Sequence, residues 1–179
     1  MPIFRLSMKK LILLYIVLLS EIVTAQTWTQ LPNFSSNERD DAVAFVIGNK
    51  AYCGSGLSPW FTAFGDFRVL DMNTEQWSSI SALPNGEHRQ YATGFSGGGK
   101  GYVFGGVSGS KFYRNVLEYN PLLDTWTTKT SLPDSGISGA ASFTLNNVAY
   151  VVCGRTAQKL ASNTVWAYNF ANHTWQQKA

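Results

Sequence analysis

Four tryptophans recur at a single period, and this regularity restricts the fold more than any other property of the chain. Trp28, Trp77, Trp126 and Trp175 stand 49 residues apart at each step, as expected of a chain built from copies of one supersecondary unit. Two further landmarks keep step with them. Phe45, Phe95 and Phe143 each precede a tyrosine (Tyr52, Tyr102, Tyr150) by seven positions, and Leu70, Tyr119 and Tyr168 each precede the closing tryptophan by seven. The longer intervals are 17 or 18 residues, whereas the sevens never change.

An invariant seven has a physical meaning if its two ends face each other across an antiparallel hairpin. Pairing Phe45 with Tyr52 leaves Gly48-Asn49 as a two-residue turn, and the same pairing leaves Gly98-Gly99 and Asn146-Asn147 in the later copies. All six tolerate the positive φ that primed hairpin turns require. Pairing Leu70, Tyr119 and Tyr168 with their tryptophans leaves four-residue turns at 72–75, 121–124 and 170–173. Each repeat is then two hairpins, hence four strands, with one large cross-strand pair fixing the register of each hairpin. The first strands, 42–45, 92–95 and 140–143, carry mostly small residues before one aromatic. That suits a crowded inner radius, while the tryptophan strands suit the wide outer rim. The sequence predicts an all-β fold of three four-stranded propeller blades, at about 28–77, 77–126 and 126–175.

Composition agrees. The chain has 25 aromatics and 16 glycines among its 179 residues, which argues against a helical bundle. Two cysteines and two histidines exclude a disulfide-rich scaffold and a His-rich metal site. The formal charge of +3 falls to 11 basic against 10 acidic groups once the first 25 residues are set aside, so nucleic acid is not an expected partner.

Gly105-Gly106 after the second strand, Tyr119-Asn120-Pro121, Thr125-Trp126, and Leu83-Pro84 with Arg89 between blades together resemble the kelch repeat family. The likeness covers about 150 residues in three registered copies. The diglycine is Ser55-Gly56 in the first copy and Cys153-Gly154 in the third, and Leu70 stands where tyrosine is usual. The resemblance implies a closed ring of typically five to seven blades, so three repeats make an incomplete ring. The strand beginning at Trp28 resembles the outer strand that completes the last blade of such rings. The expectation is the N-terminal part of a longer propeller, with the remaining blades coming from a longer chain. A second copy of this chain, or an open arc, is the alternative.

Arg5, Lys9 and Lys10 precede the apolar run 11–19, and Val23-Thr24-Ala25 follows it. This is the order of a secretory signal peptide. Nine apolar residues make a helix of about 14 Å, half a bilayer's hydrocarbon core. Residues 1–25 are therefore expected to be removed, leaving residues 26–179 secreted or periplasmic with no membrane partner.

Alternating strands place the loops between strands 2 and 3, and those between blades, on one face, and all length variation falls there. Such loops commonly bind. They hold Trp60, Phe61 and Phe64, then Lys111, Phe112, Tyr113 and Arg114, then Arg155 and Lys159, with Arg39 and Asp40 and the cluster Glu87, His88 and Arg89 just before inner strands. Aromatic faces stack on sugars and arginine forks bind carboxylates. Arg39, Trp60, Phe61, His88, Arg89, Lys111, Tyr113, Arg114 and Arg155 are therefore the candidate binding residues for a glycan or a protein segment. Trp60 and Phe61 folding back over the blade, and Arg39 and Arg89 bracing it through carbonyls, are the structural alternatives.

Secreted kelch propellers that act as sialic acid mutarotases or epimerases are similar in leader and repeat. That resemblance implies an enzyme alternative in which Glu87 and His88 are the nearest acid/base groups and Arg39 or Arg89 anchors a carboxylate. A binding module is the preferred reading. The galactose oxidase propeller is also similar, but its copper ligands have no counterparts here, and no metal or other cofactor is expected. Cys53 and Cys153 fall on blades that are not neighbours and are expected as buried thiols. His88 and His173 lie in different blades. Gly97-Gly98-Gly99-Lys100 is a hairpin turn rather than a phosphate loop. Asn33 and Asn172 fit the glycosylation pattern, which matters only in a eukaryotic host.

Overall fold

A computed structural model describes residues 28–178 of the chain; the leader expected at 1–25 lies outside the described residues. Fourteen strands are present: β1 Val43–Ile47, β2 Lys50–Gly54, β3 Phe67–Asp71, β4 Gln76–Ile80, β5 Thr93–Gly97, β6 Lys100–Phe104, β7 Val107–Ser108, β8 Lys111–Phe112, β9 Val116–Asn120, β10 Thr125–Lys129, β11 Ala141–Leu145, β12 Val148–Val152, β13 Val165–Asn169 and β14 Thr174–Lys178. They form three four-stranded antiparallel sheets, β1-β2-β3-β4, β5-β6-β9-β10 and β11-β12-β13-β14, with β7-β8 as a separate ribbon. The ribbon, inside the second blade's longest loop, has no signature in the repeat pattern.

Every seven-residue interval is a cross-strand pair. Phe45 faces Tyr52, Phe95 faces Tyr102 and Phe143 faces Tyr150, with ring centroids 5.1, 5.5 and 5.2 Å apart and nearly parallel planes. Leu70, Tyr119 and Tyr168 face Trp77, Trp126 and Trp175. Both turn residues have positive φ in Gly98-Gly99 and Asn146-Asn147, whereas in the first copy only Gly48 does, the pattern of a II′ rather than an I′ turn. The four-residue turns end in the left-handed residues Glu75, Asp124 and His173. Asp71, Asn120 and Asn169 side chains accept the amide two residues on in each of these turns.

The tryptophans join each blade to the one before. Trp126 Nε1 donates to Ser81 O at 2.8 Å and Trp175 Nε1 to Thr130 O at 3.0 Å. Trp77 makes the corresponding bond to Pro32 O at 3.0 Å. In each case the acceptor lies 45 residues before the donor. The indole rings pack on the preceding blade as well, Trp126 against Phe67 at 5.0 Å and Trp175 against Phe104 at 4.7 Å. Phe34 takes that place against Trp77, at 5.2 Å. Between the sheets lie two aromatic cores. One gathers Phe45, Tyr52, Phe67 and Tyr119. The other gathers Phe95, Tyr102, Tyr168 and Phe170. Inner strands meet closely, and a Cβ on Gly94 would lie 2.3 Å from Ala44 O. Ser142 Oγ donates to Gly94 O across the next seam.

Each blade is therefore sealed by its successor. Phe45 and Phe95 are 5% and 4% exposed, whereas Phe143, with no following blade among the described residues, is 54% exposed. The expectation of buried thiols fails as well. Cys153 is exposed and Cys53 only half-buried, and both are free. Gly56 N donates to Arg89 O and Gly106 N to Ile137 O, so the next blade's lead-in covers each second strand's end. At Cys153-Gly154 a cavity of about 480 Å³ occupies the corresponding place. The strand expected at Trp28 is not formed, since residues 28–34 carry no ladder; a single strand has no hydrogen-bond partners of its own.

The variable diglycine has a steric explanation. Its first position, Ser55, Gly105 and Cys153, has φ of 61°, 64° and 65°, a left-handed region that side chains can occupy. The second, Gly56, Gly106 and Gly154, has φ of 93°, 89° and 90°. A Cβ there would meet the carbonyl of Asp40, Gln90 or Ser138 at 2.4, 2.8 or 2.9 Å. Gly56→Ala is therefore expected to cost about 2–3 kcal/mol, read as a lowered urea midpoint. An unchanged midpoint would contradict this account.

Candidate functional site

The two lead-in arginines are both buried, with their forks fully engaged. Burial of a guanidinium demands that its donors be paired. Arg89 is fully buried. Its Nη1 donates to Gly105 O at 3.0 Å and Asn115 Oδ1 at 3.1 Å, its Nε to Glu87 O at 2.8 Å, and its Nη2 to the Glu87 carboxylate. Asn115 Nδ2 completes the set by donating to Glu87 Oε2 at 2.8 Å. Burial pulls the Arg89 guanidinium down to about 10, against the opposing pull of Glu87 and Tyr113, so it stays charged at neutral pH. In the first blade, Arg39 (side chain 4% exposed) grips Asp66 through both Nη atoms, at 2.8 and 3.0 Å. Arg39 also reaches Ser55 O at 3.1 Å, Ser36 Oγ at 3.0 Å and Asn37 O at 3.1 Å.

This corrects part of the sequence reading. Arg39 and Arg89 brace their own blades and offer no free fork to a carboxylate, which was the structural alternative. Tyr113, expected on the loop surface, is 5% exposed. It stacks on Arg89 at 3.8 Å, and its hydroxyl donates to Gly86 O at 2.9 Å and His88 O at 3.1 Å. Glu87 is spent on Arg89 and Asn115, so it is not a free acid or base. His88 is exposed, but its ring covers Gly65, where a Cβ would lie 2.1 Å from His88 Cδ2.

The candidates still presented to solvent on the loop face are Trp60 and Phe61, each 86% exposed, together with His88, Lys111, Arg114 and Arg155. Trp60 and Phe61 do not fold back over the blade. Ser58, which is buried, holds their loop: its Oγ accepts from Trp60 N at 3.2 Å and Thr62 N at 3.0 Å, and its O accepts from Phe61 N at 3.0 Å. Phe61 has φ of 59°, a conformation a bulky residue adopts only when its surroundings impose it. Lys111 lies over the Tyr113 ring at 4.2 Å and Arg155 over Phe112 at 5.5 Å, so the structure groups Lys111 with Tyr113 and spaces Trp60 apart from them in another blade. His173 lies in the last hairpin turn, its Nδ1 3.0 Å from the Tyr168 hydroxyl. At the turns entering the inner strands Tyr91 N donates to Asp41 O at 3.3 Å, which sets the Tyr91 phenol near the Asp41 carboxylate. Burial raises the Asp41 carboxyl, the Tyr91 phenol opposes this, and Asp40 adds to the rise.

Asp66, Asn115 and Ser58 were missed. Comparison of the repeats contained the signal for the first two. Arg39 goes with Asp66 and Arg89 with Asn115, while the third copy has Ile137 and Thr164 at the matching positions, so both partners change together.

With this geometry in hand, the chain belongs to the kelch-repeat family: the KLHDC2/KLHL20/DRC7 Kelch-repeats domain matches residues 14–179. It is 26% identical over 157 residues to the N-acetylneuraminate epimerase of Salmonella typhi, covering 83% of this chain and 39% of that protein. The N-acetylneuraminate epimerase of Pasteurella multocida is 32% identical over 148 residues, with 79% and 37% covered. Beta-scruin of Limulus polyphemus is 27% identical over 150 residues, with 76% and 16% covered. The solved structure of YjhT superposes with a TM-score of 0.75 at 21% identity, over 86% of this chain and 55% of that one. The chain thus spans about two-fifths of the epimerase relatives' length and about half of YjhT.

Two outcomes follow from the braces. Arg89→Ala leaves the half-buried Glu87 and Asn115 without their cation and opens a cavity where the fully buried guanidinium lay, and is expected to destabilise the fold by about 3–5 kcal/mol in urea titration; a stable variant would return Arg89 to the binding residues. At Asp66, burial works to raise the carboxyl, but the Arg39 and Ser36 bonds outweigh it and hold it below the usual range. That contribution is complete above about pH 4 and is lost as pH falls through the depressed folded value. Asp66→Asn should therefore lower the urea midpoint at pH 7 and reduce its fall between pH 5 and pH 2 (about the range of that titration). An unaltered acid fall would overturn the assignment.

Proposed function

We propose that this kelch module is part of an exported propeller that binds a glycan through its loop face. The observation that carries the reading is the Trp60–Phe61 tip, two aromatic rings held out to solvent by Ser58 on a loop whose backbone is fixed. Aromatic faces stack on the C–H surfaces of sugars, and preformed loops on a rigid sheet lose little entropy on binding. Lys111, Arg114 and Arg155, on the same face, add donors for hydroxyl or carboxylate oxygens. A protein segment is the other ligand such a surface fits. The exposed Phe143 face accepts further blades, from a longer chain or a second copy.

A second reading, a sialic acid mutarotase or epimerase, is favoured by the names of the bacterial relatives and by the Asp41–Tyr91 pair, a carboxylate and a phenol in contact beside the inner strands. Mutarotation asks only for a positioned acid and base. The Glu87–Arg89 pair does not supply them, being committed to the fold.

A glycan array probed with the full chain is expected to yield a bound class whose signal falls about tenfold in Trp60→Ala, a loss of about 1.4 kcal/mol. Proton NMR of freshly dissolved N-acetylneuraminic acid tests the second reading. An accelerated anomer exchange abolished by Tyr91→Phe would establish it, and no acceleration would leave the binding module. Undiminished array binding by Trp60→Ala would overturn the role of the tip.

A further inference from the structure

The first two blades share one lead-in architecture but finish it differently. Their residues match by hydrogen bonding: Phe64 N donates to Gly56 O as Tyr113 N donates to Gly106 O, and Arg39 Nε donates to Asn37 O as Arg89 Nε donates to Glu87 O. Phe64 stacks on Arg39 at 4.4 Å as Tyr113 stacks on Arg89 at 3.8 Å. In the second blade the Tyr113 hydroxyl spans the gap to the carbonyls of Gly86 and His88, at 2.9 and 3.1 Å, and seals it. In the first blade the matching carbonyls belong to Ser36 and Glu38, and Phe64 has no hydroxyl to reach them. A cleft of about 520 Å³ remains between the lead-in and the Trp60 loop, within the about 300–1,000 Å³ usual for small-molecule sites.

The lining of this cleft is specific in chemistry. Trp60, 86% exposed, and Pro59 supply an apolar wall, and Asn37 and Glu38, which carry an amide and a carboxylate, line the same cleft from the lead-in. The cation beside the cleft is Arg39, whose fork is consumed by Asp66, Ser55 O and Ser36. Among the described residues Glu38 forms no ion pair. An aromatic wall facing a carboxylate and an amide pairs with a pyranose, whose C–H face stacks while its hydroxyls donate to the carboxylate and exchange bonds with the amide. An acidic sugar would bring its own carboxylate against Glu38 without a cation between them, which is repulsive.

We infer that the first blade carries a subsite for an uncharged saccharide between Trp60 and Glu38, left open because Phe64 replaces the tyrosine that closes the same cleft in the second blade. This inference rests on the glycan-binding reading and narrows it. The acidic-sugar contacts of the loop face, if used, belong to Lys111, Arg114 and Arg155 instead.

The experiment is calorimetric titration of the full chain with maltose, cellobiose and lactose, and with 3′-sialyllactose as the acidic probe. At least one uncharged disaccharide is expected to bind about tenfold more tightly than sialyllactose. Phe64→Tyr, which copies Tyr113 and adds hydrogen bonds, should keep or raise the urea midpoint while weakening that disaccharide about tenfold, as should Trp60→Ala. Glu38→Gln should narrow the gap between the neutral and the acidic sugar. Wild-type binding of the uncharged sugars by Phe64→Tyr overturns the cleft while leaving a glycan-binding face intact. Equal or tighter binding of sialyllactose overturns the uncharged class. Failure of every sugar, neutral and acidic, overturns this inference together with the reading on which it rests.

Discussion

The bond from each outer-strand tryptophan to a carbonyl 45 residues earlier sets how one blade stands against the next. A strand pair determines its own register, but two packed sheets can slide and rotate over each other, because apolar burial has no direction. A half-buried indole supplies both terms at once. Its ring covers the preceding core, and its N–H, which must be paired where water is scarce, points to one carbonyl only. Ser81 reinforces the same corner, its amide and hydroxyl donating to Asp124 Oδ1 at 2.9 Å and to Asp124 O. With the outer rim pinned there and the inner strands in contact at Gly94, little freedom remains for the aromatic layer between.

Within a blade the comparable constraint is the buried arginine. It stands where three segments converge, the lead-in, the end of the second strand and the start of the third, and its fork satisfies carbonyls that no ladder reaches. Removing water from a guanidinium is costly, and the arrangement is stable only because each donor has an acceptor. The third blade shows that a propeller blade does not need this solution. Ile137 is 4% exposed in place of the arginine, and Ser162 replaces the stacking aromatic. The polar brace and the apolar plug are alternatives for one position, and the residue above it goes with them: an aromatic, Phe64 or Tyr113, over each arginine, and Ser162 over Ile137.

That substitution pattern explains why the sheets were legible in the sequence and the loop face only partly so. The seven-residue intervals belong to hairpins, whose partners are close in sequence and whose periodicity survives any change of side chain, so all six registers could be read from spacing. The loops have no such period. Trp60 and Tyr113 look alike as aromatics in polar loops, yet one is held outward by Ser58 and the other turned inward by the β7-β8 ribbon and the bond from its amide to Gly106 O. For Arg89, in the polar run Glu87-His88-Arg89, the sequence leaves binding and bracing both open, because its acceptors Gly105 and Asn115 lie 16 and 26 residues away. The same distance hid the thiols: whether Cys153 is covered depends on a neighbouring blade and not on its own strand.

The direction in which the blades are sealed bears on how such a chain is made. Phe45 is covered by residues of the second blade and Phe95 by residues of the third, never the reverse. During synthesis from the N-terminus, every finished sheet therefore presents a bare aromatic stripe until roughly fifty more residues (about one repeat of this class) have left the ribosome. Stability then accrues by nearest-neighbour addition rather than in a single collapse. The newest blade is always the stickiest, which places the hazard of misassociation at the growing end until the next repeat has folded against it.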